Sequence, residues 1–193
     1  MRKFSNWENV KPAAERQQLP KGGYIVKILD AKVRTYTSDK GTFEKLEISV
    51  DIVEGEFKDF YATDYRSQTQ EDKRWRGVLR QYIPADDGSE KDEWTKSVFK
   101  AMTDAIEDSN PGYHWDWNET GLKGKIVGAL FRSEEWDYQG KTGFATRCFK
   151  LIPAEMVKSG KFKVPADKLL TKTVSGPSGQ NFEEISSGDD LPF

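Results

Sequence analysis

The sequence has little of the chemistry on which most enzymes depend, since it contains one cysteine, Cys148, and one histidine, His114. A single cysteine excludes an intramolecular disulfide, and its position in a strand-like run predicts a small core residue rather than a nucleophile. A lone histidine builds neither a zinc site without cysteines nor a nucleophile–base pair without a placed serine or cysteine. Neither of the two common glycine-rich phosphate-binding motifs occurs. We therefore predict no catalytic residue, no metal and no cofactor.

Long apolar segments are also lacking. The longest apolar run, at 126–131, is far too short to span a bilayer. The first residues contain no apolar stretch of the kind found in secretion signals. Charged residues make up 32% of the chain and hydrophobic residues 36%, which is typical of a globular protein with a heavily charged surface. We expect a cytoplasmic protein without a membrane partner.

The formal net charge of -2 hides a segregation of charge along the chain. Residues 86–119 carry a net charge of -7 and residues 171–193 a net charge of -3, which leaves +8 for the remainder. A basic body beside an acidic insertion and an acidic tail is compatible with binding a polyanion on one surface. Ordinary solubilising surface is the alternative interpretation of the same charges.

Hydrophobic periodicity and turn residues predict three strands, a helical stretch and two further strands. Strands are predicted at 24–36, 43–53 and 57–65, and again at 125–136 and 144–152. Trp75, Val78, Leu79 and Tyr82 recur at helical spacing, and a second helix follows the charged loop 86–93 with Trp94, Val98, Met102, Ala105 and Ile106 on one face. Trp75, Trp94, Trp115 and Trp117 are predicted to form the core of this helical part.

This order of elements is that of an OB-fold, a five-stranded and partly open Greek-key barrel. We predict a mainly β protein whose OB-fold domain spans 1–170, with an acidic helical insertion at about 66–122 between strands 3 and 4. Residues 171–193 are predicted to be a disordered linker that ends in an acidic tip. A small β-barrel of another topology is the structural alternative.

Single strands are bound without sequence preference by a basic groove together with exposed rings on which bases stack. The predicted strands carry both kinds of residue, and Lys40 and Lys141 lie in the loops that flank the binding face of OB-folds. For each ring, packing in the core is the alternative. The candidate residues for binding single-stranded DNA are Lys32, Arg34, Tyr36, Lys40, Phe43, Lys45, Arg132, Trp136, Tyr138, Lys141 and Arg147.

The last five residues form a second candidate site, which would bind a protein. They are Asp189, Asp190, Leu191, Pro192 and Phe193, and they follow a segment rich in Ser and Gly. An apolar pocket on a partner would accept the Phe193 ring, and a basic rim would bind the carboxylates. An acidic end without a partner is the alternative.

Two resemblances agree with these sites. The ending DDLPF is similar to the acidic tip of bacterial and phage single-stranded DNA-binding proteins, which recruits replication, recombination and repair enzymes. The runs LPKGGY at 19–24, DIVEGEF at 51–57 and SNPGY at 109–113 resemble small proteins of phages and integrative elements of Gram-positive bacteria. Those proteins are treated as single-stranded DNA-binding or replication accessory proteins, so the resemblance implies the same function here.

Two other functions stay open on the sequence alone. An adaptor would use the tip to bind host DNA-processing enzymes while having little DNA affinity of its own. A metal-dependent nuclease needs only carboxylates and a lysine, and Glu71, Asp72 and Lys73 supply these in a polar turn that would not hold a metal rigidly. The oligomeric state also stays open, so a second copy of the chain remains among the candidate partners.

Overall fold

The computed structural model describes residues 2, 5, 7–9, 18–39 and 41–170. In this part of the chain, five strands form one antiparallel sheet in the order β3-β2-β1-β4-β5. The strands are β1 (Gly22–Ser38), β2 (Gly41–Ile52), β3 (Val78–Tyr82), β4 (Ile126–Tyr138) and β5 (Lys141–Ile152). The predicted mainly β, five-stranded architecture is confirmed. The sheet is open, although Cα atoms of its two edge strands, β3 and β5, come within 8 Å of each other.

Three α-helices accompany the sheet in the described residues: α1 (Phe60–Ser67), α2 (Glu90–Ser109) and α3 (Ala154–Lys158). Short 3-10 helices cover Trp7–Asn9 and Glu119–Leu122. Ser89 caps the N-terminus of α2, because its side chain accepts a hydrogen bond from the Asp92 amide at 3.1 Å. None of the described helices has the length and apolar character required to cross a membrane.

The core lies between one face of the sheet and the helices. Alternate residues of β2 are buried, namely Leu46, Ile48, Val50 and Ile52, as their spacing predicts. They pack with Val26, Ile28, Val127, Ala129 and Phe131 from β1 and β4, and with Phe99, Met102, Ala105 and Ile106 from α2. Met102, Ala105 and Ile106 of the predicted α2 face are therefore buried, whereas Val98 is half-buried and Trp94 is 47% exposed. Phe99, which the predicted face did not include, is buried.

The strand predicted at 57–65 is wrong, because this segment contains α1. The Asp51 carboxylate, at the end of β2, accepts hydrogen bonds from the amides of Tyr61 and Ala62 at 2.9 and 3.0 Å and so caps the first turn of the helix. Phe57, Phe60 and Tyr61 recur at helical spacing and pack edge to face in sequence. Their aromatic character favours a strand locally, whereas their spacing fits the helix that forms.

The helix predicted around 75–82 is also wrong, because β3 lies there. The Trp75 indole N–H donates to the Val50 carbonyl at 3.1 Å, and the Val50 amide donates to the Gly77 carbonyl at 2.7 Å. These bonds hold the chain extended beside β2, where Lys45 pairs with Tyr82 and Ile48 with Leu79. The helical insertion between β3 and β4 consequently spans 83–125 rather than 66–122.

Candidate nucleic-acid interface

The register of the sheet brings one set of basic and aromatic side chains together on the face opposite the core. Tyr36 pairs with Phe43 across β1 and β2, and Arg34 pairs with Lys45, which in turn pairs with Tyr82 of β3. Directly paired residues of antiparallel strands project from the same face. We call this surface the platform; it consists of Lys32, Arg34, Tyr36, Phe43, Lys45, Glu47, Arg80 and Tyr82.

Three rings of the platform lie side by side with one lysine over them. Tyr36 stacks on Phe43 with ring centroids 5.6 Å apart and planes 9° from parallel, and Phe43 lies 5.5 Å from Tyr82. The Lys45 ammonium is 4.2 Å from the Tyr82 centroid and 5.5 Å from each of the other two. Tyr82 is 49% exposed, whereas Tyr36 and Phe43 are half-buried. The surface therefore offers a ring to solvent with a positive charge against it.

A carboxylate holds the arginines of the platform in place. Glu47 accepts from Arg80 Nε at 2.8 Å and from the Tyr36 hydroxyl at 2.5 Å, and Arg34 Nε lies 3.2 Å from its other oxygen. Partial burial alone would raise the pKa of Glu47, but these hydrogen bonds and the charges of Arg80 and Arg34 lower it below its usual value. Glu47 is thus ionised at neutral pH, and it offsets part of the positive charge around it.

Sequence reasoning missed the two platform residues of β3, Arg80 and Tyr82. Trp75, Val78 and Tyr82 recur at helical spacing, which predicted a helix. The same segment fits a short strand, in which Leu79 is buried between exposed or half-exposed neighbours. Gly77 before this pattern and Pro84 after it bound a run of strand length. Gly77 and Pro84 are therefore the sequence features that indicate a short strand here.

The hairpin of β4 and β5 carries the remaining candidate residues, apart from Lys40. Its register pairs Tyr138 with Lys141 and Arg132 with Arg147, so these residues and Trp136 share one face. Tyr138 is 68% exposed. The Trp136 ring covers Gly143, where an added Cβ would lie 2.7 Å from Cζ2 of the indole. This packing holds the Trp136 side chain flat on the hairpin.

The two arginines of this hairpin differ in surroundings. Arg132 Nε lies 3.0 Å from Glu134, and its guanidinium lies 4.6 Å from the centroid of the Phe149 ring. Only 16% of the Arg132 side chain is exposed, against 49% for Arg147, which lies 3.6 Å from Glu134. Arg147 is therefore the more accessible of the two to a phosphate.

The platform and the β4–β5 hairpin are separate in the sheet. β1 pairs with β4 only between Gly22 and Lys27, and β4 continues beyond the start of β1 to Tyr138. The platform instead lies towards the end of β1, near its turn to β2. Lys40 and the candidate protein-binding residues Asp189, Asp190, Leu191, Pro192 and Phe193 lie outside the described residues.

Cys148, His114 and the polar turn at 71–73 are the places where the sequence offers groups with catalytic chemistry. No group of three or more His, Cys, Asp or Glu side chains placed to hold a metal is found in the part of the chain that the structure describes. Cys148 is buried, and burial raises the pKa of its thiol to about 12. His114 lies 3.4 Å from Glu107 with 86% of its side chain exposed, and Asp72 pairs with Arg74 at 2.6 Å.

Compared with known proteins, the chain matches no protein-family model and has no significant match among curated proteins.

Proposed function

We propose that this protein binds single-stranded DNA without sequence preference and recruits DNA-processing enzymes through residues 189–193. The observation that carries the proposal is the platform, where three adjacent rings and Lys45 occupy one outward face of the sheet. Every base has a π face, so stacking on such rings tolerates any sequence. Arginines and lysines beside the rings supply the charge that follows a phosphate backbone.

The strand order supports an OB-fold as the architecture of this binding protein. The order β3-β2-β1-β4-β5 becomes a five-stranded barrel when its edge strands meet, and Cα atoms of β3 and β5 already come within 8 Å. In OB-folds, oligonucleotides bind across strands 2 and 3 and between the loops that join strands 1 to 2 and 4 to 5. The platform lies on strands 1, 2 and 3, and the β4–β5 hairpin supplies Trp136 and Tyr138.

Recruitment is the second part of the proposal and is supported by the sequence. Residues 171–188 contain four serines and three glycines ahead of Asp189 and Asp190. Linkers rich in Ser and Gly in general give the group at their end a wide reach and a high local concentration near a bound ligand. An enzyme held by residues 189–193 would therefore act on the strand that the same molecule covers.

Fluorescence anisotropy with a labelled oligo-dT strand tests the binding step. We expect the intact chain to bind oligo-dT more tightly than duplex DNA, and Tyr82→Ala to weaken binding by about 1–3 kcal/mol through loss of one stacking surface. Tyr82 is half exposed, so the melting temperature should change little. Trp94→Ala is the matched control, because Trp94 is exposed to a similar extent on α2, away from the platform.

Equal affinities of Tyr82→Ala and Trp94→Ala would show that the platform is not the binding surface. If the intact chain itself fails to bind oligo-dT, the adaptor function, in which the tip binds enzymes without DNA affinity, replaces the proposal.

A further inference from the structure

A cavity of about 490 Å³ lies on the other side of the β1–β2 hairpin from the platform. Val33 and Leu46 line it, and they alternate along the strands with Arg34 and Lys45 of the platform. Phe99 of α2 and the segment that contains Trp115 and Trp117 form the opposite wall. The hairpin therefore presents different side chains to two sites, and the cavity is independent of the platform.

Trp117 is presented to solvent at the rim of this cavity. It is 82% exposed, and its φ of 65° lies in the left-handed region that a bulky side chain rarely adopts. The segment is held on both sides, because Glu107 accepts from the Trp115 amide at 2.8 Å and Asp116 accepts from the Asn118 amide at 3.2 Å. An exposed ring kept in an unfavourable backbone conformation is a feature of binding sites. The predicted role of Trp117 in the core of the insertion is wrong.

The cavity is acidic. Glu44, Asp86 and Glu119 line it together with one cation, Lys96. The Lys96 ammonium is already shared among Asp86 at 2.7 Å and Asp92 and Glu93 at 3.0 Å each. Within the described part of the chain, no cation pairs with Glu44 or Glu119, and residues 86–119 have a net charge of -7. This surface repels phosphate and attracts cations.

We infer that the cavity binds a basic, partly apolar peptide segment of a partner protein. The rings of Phe99, Trp115 and Trp117 lie in series, with centroids 6.2 and 6.3 Å apart and planes 62° and 57° apart, and form a concave wall. A lysine or arginine side chain of the peptide lies against this wall with its charge towards Glu44 and Glu119. Its apolar neighbours cover Val33 and Leu46. Tryptophans at the centre of interfaces supply much of the binding energy.

The test uses the full chain and an acetylated, amidated peptide of sequence Lys-Leu-Lys-Leu-Lys, followed through the tryptophan indole N–H signals in NMR spectra. We expect saturable shifts of the Trp115 and Trp117 signals. Trp117→Gly removes the ring and also relieves the backbone strain, so this variant should fold. It should bind the peptide at least about fivefold more weakly, because one cation–π contact is lost. Glu44→Gln combined with Glu119→Gln should weaken binding similarly. Trp94→Ala, exposed on α2 outside the cavity, should bind like the unmodified chain.

Binding of Glu-Leu-Glu-Leu-Glu with equal affinity, or undiminished binding by Trp117→Gly, would overturn the inference. Tighter binding after removal of residues 1–17 would also overturn it, because the cavity would then be a site for this chain's own first segment. Shifts of the Trp115 and Trp117 signals on addition of oligo-dT alone, without the peptide, would assign the cavity to DNA instead.

Discussion

Glu47 offsets positive charge on the platform, and in the proposed DNA complex it limits how much of that charge reaches a phosphate backbone. Its carboxylate lies between Arg34 and Arg80, with nitrogen–oxygen distances of 3.2 and 2.8 Å. Both arginines are thus oriented on the surface, but each shares its charge with a carboxylate. A strand that binds here must compete with Glu47 for the two guanidinium groups.

Replacing this carboxylate should strengthen DNA binding and make it more dependent on salt. Glu47→Gln leaves the size of the side chain unchanged and releases Arg34 and Arg80. The slope of log affinity for oligo-dT against log salt should become steeper by about 0.7 for each guanidinium that then reaches a phosphate. Anisotropy titrations over a series of salt concentrations measure the slope.

Glu44→Gln provides the control for this change. It removes the same charge from the same strand, but Glu44 faces the cavity on the other side of the hairpin. A slope that steepens equally in both variants would mean that overall charge, rather than the platform, determines the salt dependence.

At the scale of elements, β3 and α1 show where local sequence stops being sufficient. The strands β1, β2, β4 and β5 and the helix α2 are found within a few residues of their predicted positions, because their patterns are long and their turns carry Gly or Pro. α1 depends on capping by Asp51, nine residues before its first residue Phe60. β3 depends on two hydrogen bonds with Val50: its carbonyl accepts from the Trp75 indole, and its amide donates to the Gly77 carbonyl. Neither contact is visible in a local pattern.

The same distant contacts limited what could be predicted of the site. Every platform residue of β1 and β2 except Glu47 is among the predicted residues. Side chains alternate between the two faces of a strand, so the sequence spacing places these residues on one face. Arg80 and Tyr82 were missed because their strand was mistaken for a helix. Glu47 was missed because nothing in its own strand indicates that an arginine from β3 will pair with it.

Gly77 fixes β3 against β2, and even a methyl group should be poorly tolerated there. A Cβ at this position would clash with the Val50 carbonyl oxygen and lie 2.5 Å from the Tyr61 ring. We expect Gly77→Ala to lower the free energy of unfolding by about 1–3 kcal/mol through overpacking. Urea denaturation followed by circular dichroism measures this change.

Gly121→Ala is the matched control, because a Cβ at Gly121 would make ordinary contacts with the Tyr113 hydroxyl at 3.7 Å. Equal stability of the two alanine variants would show that the close approach of Gly77 does not hold β3 in place.

At the scale of the whole molecule, the proposed binding and recruiting functions lie on different parts of the chain. The platform belongs to the sheet, whereas residues 189–193 follow the Ser- and Gly-containing segment 171–188. Removal of one function should therefore leave the other intact. Asp189 and Asp190 carry charge of the same sign as DNA, so in the proposed function we expect them to compete weakly with it for a basic surface.

Deletion of Phe193 separates the two functions. We expect it to abolish capture of DNA-processing enzymes from a bacterial lysate, because it removes the ring that a partner's apolar pocket would bind. Affinity for oligo-dT should stay unchanged, since Asp189 and Asp190 remain. Replacement of Phe182 by Ala, in the preceding segment, is the control for loss of a phenylalanine outside the tip. Recruitment by residues 189–193 is refuted if the variant that lacks Phe193 captures the same proteins as the intact chain.

The pairing of β1 with β4 has a consequence for how the chain reaches its native state. Val26 lies opposite Val127, about a hundred residues later, whereas the β1–β2 and β4–β5 hairpins each close over a short turn. Hairpins form within about 1–10 μs, but contacts between distant segments are slow because a long loop must first be closed. We expect stopped-flow refolding to show β1–β4 docking as the slow step, delayed by Val127→Ala but not by Thr142→Ala at the β4–β5 turn. Until that step, Tyr36 and Phe43 would already be paired on their hairpin while the residues that become the core are still exposed to solvent.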